Sequence, residues 1–148
     1  MDLLKLMNKI KFYFFIFLFT LSFANNGITK GNYLQEGKQL FNEKKFSESK
    51  FKFEQDIVFN PKSEESYLYL AKIFREEKND DLQEQNLNTV ILLNPQNEEA
   101  IYLLALLKIE KSDYKESNKL IKNFKKVCKK LCGKEPELNK KFKSLQAR

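Results

Sequence analysis

The chain has 148 residues, with 27 Lys and Arg against 20 Asp and Glu, a net charge of +7, no histidine and no tryptophan. That length suits one small domain, and the missing histidine removes the commonest general base and metal ligand, which argues against Ser/His or Cys/His hydrolases and most zinc or haem sites. With four Gly and three Pro a turn-rich β-sandwich is also disfavoured, while a pI near 9.3 raises nucleic acid as a partner only if the charge is suitably placed.

Residues 2–11 (DLLKLMNKIK) carry Lys5, Lys9 and Lys11 against Asp2. Residues 12–23 (FYFFIFLFTLSF) then run uncharged and almost wholly apolar to the exit Ser22-Phe23-Ala24. A basic head, a short apolar stretch and a small-x-small exit predict a signal peptide over residues 1–24. The run falls short of the roughly 20 apolar residues of a bilayer span, and no Cys stands at the exit for a lipid anchor. The expected location is the periplasm, with an uncleaved inner-membrane anchor as the alternative. An exported protein meets little nucleic acid, so the basic pI loses its usual meaning.

After a linker over residues 25–29, the chain repeats with a period of 34. Asn60-Pro61 and Asn94-Pro95 are separated by that interval, and each closes a stretch of helical apolar spacing: Phe53, Ile57, Phe59 before the first, Leu87, Val90, Ile91, Leu93 before the second. Upstream lie Tyr33, Leu34, Gly37, Leu40, Phe41 and then Tyr67, Leu68, Leu70, Ala71, Phe74, with Ile101, Leu104 and Ala105 one period further. Short helices of this length are marginal alone, so each must bury its apolar stripe on a neighbour.

This register resembles the tetratricopeptide repeat family, whose unit is a 34-residue helix-turn-helix. Gly37, Ala71 and Ala105 match its small position, Phe53, Leu87 and Ile121 its bulky position in the second helix, and Pro61 and Pro95 the proline between repeats. Ser49 and Ser117 match a second small position where Gln83 departs, and Asp80 departs where Phe46 and Tyr114 supply an aromatic. The expected fold is all-α: a short solenoid of three repeats, residues 30–63, 64–97 and 98–131, followed by a capping helix and basic tail over 132–148. Pro136 with Leu138, Phe142 and Leu145 predicts the capping helix over 136–147, its wet side carrying Lys134, Lys140, Lys141 and Lys143.

Cys128 and Cys132 are the only thiols. Four apart on an unbroken helix, their Cβ atoms would stand too far apart to bridge, so a disulfide requires the helix to end near Cys132, where Gly133 and Pro136 allow it. Two ordinary thiols and a redox pair remain the alternatives; the CxxxC spacing differs from the CxxC of thioredoxin-like motifs. Glu64, Glu65, Glu98 and Glu99 suggest paired acid and base, yet they follow the two prolines at equal offsets and sit in first helical turns, where carboxylates meet the helix dipole favourably. No metal, cofactor or catalytic residue is expected.

What the resemblance implies is a concave groove lined by the first helix of each repeat, binding a helix or peptide of a partner. In this register its residues are Leu34, Lys38, Phe41 and Asn42, then Leu68, Tyr69, Lys72 and Arg75, then Tyr102, Leu103, Leu106 and Ile109. The stretch Ala100–Ile109 is apolar on several faces and predicts a further cover: a client helix, a second copy of the chain, or the capping helix. The expected role is a non-enzymatic adaptor for envelope proteins, with a homo-oligomer among the candidate partners; the alternatives are a peripheral membrane-surface protein using the basic C-terminal segment and a thiol-redox protein. Residues 25–110 carry a net charge of −4 and residues 111–148 a net +9. This basic end suits an anionic membrane surface or an acidic partner, or is a merely solvated face. With 25 Lys and 2 Arg it does not resemble a specific nucleic-acid reader.

Overall fold

The computed structural model describes residues 31–146; the signal-like segment over 1–24 and the linker over 25–29 lie outside the described residues. Within them the chain forms α1 (Tyr33–Asn42), α2 (Phe46–Phe59), α3 (Glu64–Glu76), α4 (Asp80–Leu93), α5 (Glu98–Glu110), α6 (Tyr114–Val127), a 3-10 turn (Cys132–Lys134) and α7 (Glu135–Gln146). No strand occurs among the described residues. Helices pair as α1 with α2, α3 with α4 and α5 with α6, each pair packing on the next through α2–α3 and α4–α5, with α7 on α5 and α6.

The helix pairs close at the small positions. A Cβ placed on Gly37 would lie 2.7 Å from the Phe53 ring, and Phe53 is fully buried. One and two periods on, Ala71 with Leu87 and Ala105 with Ile121 are buried in one cluster, so along the register the smallest residue goes with the largest side chain and the two alanines with smaller ones. Burial of one such bulky side chain stabilises by roughly 1.5–3 kcal/mol. The Ser49 hydroxyl also donates to the Gly37 carbonyl at 2.9 Å. Gln83, in place of Ser49 one repeat on, is buried, and α3 packs on α4 regardless.

Each hairpin turns through one left-handed residue, Lys44 (φ 60°), Lys78 (φ 56°) and Ser112 (φ 58°), spaced by the repeat period. The N–H of the following residue returns to a carbonyl five positions back, Lys45 to Leu40, Asn79 to Phe74 and Asp113 to Lys108, at 2.8–2.9 Å. This satisfies the helix C-terminus without glycine. Asn79, Asn97 and Asp113 then cap the next helices, accepting from the N–H of Leu82, Ala100 and Glu116.

The interior divides into two clusters. Phe53, Leu70, Ile73 and Phe74 form the first, with Phe41, Phe46, Ile57 and Tyr69 against it; the second runs from Leu68 and Ala71 through α5 and α6 to Leu138. The first inter-repeat junction holds a buried polar chain: Ser63 Oγ donates to Ser66 Oγ at 3.0 Å, and Ser66 Oγ to Asp56 Oδ2 at 2.6 Å. One period on, Val90 and Ala100 replace Asp56 and Ser66, and the junction is apolar.

The volume match at the crossings gives a double-mutant test. Gly37→Ala is expected to destabilise by about 1–2 kcal/mol in urea unfolding, crowding Phe53. In a Phe53→Leu background the same change becomes neutral or stabilising by up to about 1 kcal/mol, because alanine is the better helix former. At the turn, Lys78→Gly is expected to stabilise by about 0.5 kcal/mol, relief of left-handed strain exceeding glycine's extra chain entropy, whereas Lys78→Val lowers the melting temperature.

Candidate functional site: the inner face and its closing loop

The first helices of the pairs, α1, α3 and α5, carry the residues expected to line a groove. Around the Tyr69 ring the structure gathers four of them. Phe41 meets it edge-on at 5.1 Å between centroids, Lys72 Nζ lies 4.8 Å from its centre and Lys38 Nζ 5.9 Å, while Phe53 stacks beneath it at 5.0 Å. The two lysines are held by the next helix: Lys38 pairs with Glu65 and Lys72 with Glu99 at 2.7 Å. The glutamates Glu65 and Glu99 therefore tie repeats together. Glutamate stands 27 residues after each lysine, a spacing legible in the sequence as a repeated offset.

Leu34 is half-buried against the first cluster, Tyr102 is half-buried against the second, and Asn42 and Arg75 are exposed. The remaining four expectations are corrected. Leu68 and Leu103 are 7 % exposed, Leu106 3 % and Ile109 1 %; they belong to the core, and of the four Leu68 alone keeps an edge on the cleft beside Glu98. For the three on α5 the physical reason lies in α7, which packs on α5 and α6 and places fully buried Leu138 in their cluster. The cover that α5 required is thus supplied in part by the chain's own capping helix.

At this third junction the period breaks. Continuing the register would start a helix at residue 132, but α7 starts at Glu135. Neither lysine nor glutamate continues the inter-repeat ladder, because Leu106 and Gly133 occupy those positions. The Cys128–Cys132 disulfide closes the extra loop, with Cα atoms 5.1 Å apart. The helix ends earlier than the bridge was expected to require: α6 stops at Val127, and Cys128 is already extended at φ −59°, ψ 140°. Gly133 sits within the 3-10 turn rather than in a left-handed cap.

Glu98 holds this loop from the start of α5. Its Oε2 accepts from the backbone N–H of Lys129 at 2.6 Å, Lys130 at 3.0 Å and Leu131 at 3.1 Å. The Lys129 N–H foremost, helped by those of Leu131 and Lys130, holds the carboxyl below its ordinary value against the opposing effect of partial burial. A cleft of about 430 Å³ opens beside it, lined by Leu68, Gln96, Asn97, Glu98, Glu99, Lys130 and Leu131. Sequence reasoning missed this role for Glu98, because the partner groups are backbone atoms with no residue signature. Tyr102 ends the same region; burial, then the Glu137 charge, pushes its phenol up, and its hydroxyl lies 3.4 Å from Glu137 Oε2.

No protein-family profile and no curated protein matches the sequence. Among solved structures, the TPR2B-domain:pHsp70 complex of yeast Sti1 superposes with a TM-score of 0.67 at 14 % identity, over 80 % of this chain and 100 % of that one. This chain carries a tetratricopeptide-repeat-like fold. A chain of the CopN–Scc3 complex matches at 13 % identity with a TM-score of 0.62, over 84 % of this chain and 71 % of that one. In this fold the inner helices of the first two repeats remain open, and those of the third are built into a closed end.

The loop cradle predicts a pH signature. A carboxyl with a depressed folded-state pKa contributes stability above its ordinary value of about 4.3 and loses it as pH falls through the lower, folded value. Glu98→Gln is therefore expected to cost about 1 kcal/mol at pH 7, modest because the site is largely solvated. Thermal melts of parent and variant converge as pH is lowered through that range; an offset unchanged by pH contradicts the cradle.

Proposed function

We propose that this chain is a non-enzymatic adaptor of the cell envelope that holds a helix or extended segment of a partner protein on the inner face of its first two repeats. The observation that carries this reading is the Phe41–Tyr69 pair, half-buried aromatic rings on adjacent inner helices with Lys38 and Lys72 flanking them. A cleft of about 480 Å³ lined by Phe41, Asn42, Lys44, Phe46 and Glu76 adjoins them and offers room for an apolar anchor residue with polar groups at its rim. Because the two lysines are pinned by Glu65 and Glu99, the face is preorganised, which reduces the entropy lost on binding. The two structural neighbours are solved as complexes with other proteins, in keeping with a binding role. The signal-like segment over 1–24 supports the envelope setting.

Three of the four glutamates that suggested acid–base chemistry have structural duties, Glu65 and Glu99 in ion pairs and Glu98 in the loop cradle. Site-specific photo-crosslinking in cells tests the adaptor. A photoreactive residue at Asn42 or Arg75, both exposed on the inner helices, is expected to capture a protein of one defined mass. The same residue at Gln85 or Asn88, exposed on α4, is not. Equal capture from both sets, or none from the first, sinks the assignment. Recovery from the periplasmic fraction of a chain starting at Asn25 supports the location, and an unprocessed cytoplasmic chain overturns it.

A further inference from the structure

The second helices of the pairs, α2, α4 and α6, form the outer row of the array. The large apolar side chains left exposed among the described residues are Phe51, Val58, Phe59, Leu82 and Leu92, and all five stand on α2 and α4. Val58 is 73 % exposed and Leu92 82 %; they are equivalent positions one period apart, and Lys126 follows one period later on α6. Phe51, 58 % exposed, leads in the same way to Gln85 and Lys119. At these two register positions the outer face passes from apolar to cationic along the array, while Lys122 is preceded by Asn88 and Glu54 and Lys115 by Asp81 and Ser47, all exposed.

On α6 the cationic end is a continuous stripe. Lys115, Lys119, Lys122 and Lys126 fall at intervals of four, three and four, which places them on one helix face, opposite buried Leu120, Ile121 and Phe124. With Asn118 and Asn123 they line a surface cleft of about 490 Å³ that has no acidic lining residue. Lys119 pairs with Glu116 at 3.0 Å, while the ion pairs among the described residues do not include Lys115, Lys122 or Lys126. Like charges three and four apart destabilise a helix, so the stripe opposes folding and calls for an external counter-charge.

We propose that this outer face docks on an anionic lipid surface, the α6 lysines meeting phosphate headgroups while Val58 and Leu92 enter the acyl boundary. Three features favour a bilayer over an acidic protein. The cations are all lysine, point charges on long apolar stems suited to a diffuse anionic plane, and the stripe has no Arg fork for a defined carboxylate. A cluster of four or more lysines is the pattern that anionic leaflets attract. The exposed apolar side chains, Phe51, Val58 and Phe59 on α2 and Leu82 and Leu92 on α4, are spread over two helices, which suits shallow insertion rather than filling one pocket. This inference stands on the outer face and is independent of what the inner face holds.

Co-sedimentation of the full chain with phosphatidylcholine vesicles containing phosphatidylglycerol, against phosphatidylcholine alone, tests it. The N-terminal segment carries Lys5, Lys9 and Lys11 and is common to parent and variants, so the fall in preference between them is the readout. The parent is expected to prefer anionic vesicles and to lose that preference as salt is raised. K115E/K119E/K122E/K126E is expected to bind anionic vesicles at least about tenfold more weakly with neutral binding unchanged. The Lys→Gln version, used if the Glu version misfolds by circular dichroism, is expected to reduce the preference in the same direction. Val58→Ser with Leu92→Ser is expected to weaken the salt-resistant part of binding. A parent without preference, or a folded quadruple variant whose preference equals the parent's, overturns the proposal. Tighter binding to polyglutamate than to vesicles at equal charge assigns the stripe to an acidic protein instead and also overturns it.

Discussion

Everything in this array depends on how closely paired helices cross. Gly37 admits the Phe53 ring where even a methyl group would collide, and at the equivalent positions the small Ala71 and Ala105 are buried in one cluster with Leu87 and Ile121. Close crossing lets short helices, which have little stability of their own, bury apolar stripes on both neighbours. It also fixes the orientation of each first helix, so that Lys38 and Lys72 reach glutamates on the next repeat. The ion pairs themselves are partly solvated and contribute little energy; their effect is to hold the inner face in one arrangement.

The third junction shows what happens when the period stops. The Asn-Pro turns after α2 and α4 have no counterpart after α6, where Cys128 and Lys129 stand instead. A longer loop follows, closed by a disulfide and gripped by the Glu98 carboxylate, and it delivers α7 onto α5 and α6. Leu106, standing where the earlier repeats have lysine, is buried. The same inner position is thus a tethered cation in two repeats and a core residue in the third. That exchange converts an open array into one with a finished end, the usual requirement of a solenoid in water.

The two faces are consequently different surfaces. The inner one offers aromatic rings and pinned lysines over two repeats, a geometry for holding a chain segment. The outer one carries exposed apolar side chains on α2 and α4 and a lysine stripe on α6, which on the proposed reading lies against an anionic plane. Such an arrangement would present a partner away from a membrane while the array rests upon it.

Much of the fold was legible without coordinates, because a repeat writes its register into the chain. Gly37, Ala71, Ala105 and the two Asn-Pro pairs are spaced by 34, and helical periodicity between them leaves one arrangement that buries every stripe. The left-handed turns at Lys44, Lys78 and Ser112 were not legible, since no glycine marks them and only the backbone path reveals their φ. Groove residues were harder still. Phe41, Tyr69, Lys38 and Lys72 do converge, but Leu68, Leu103, Leu106 and Ile109 are core. Repeat position alone says which side of a helix a residue occupies, and burial depends on what else packs there. The sequence by itself determined the period, the helix pairing and the segregation of charge toward the C-terminal end. Only the tertiary structure decided which inner positions stay open, how the Cys128–Cys132 loop is held, and which lysines lack a counter-charge, because each depends on atoms far apart in the chain and, for Glu98, on backbone groups that every residue shares.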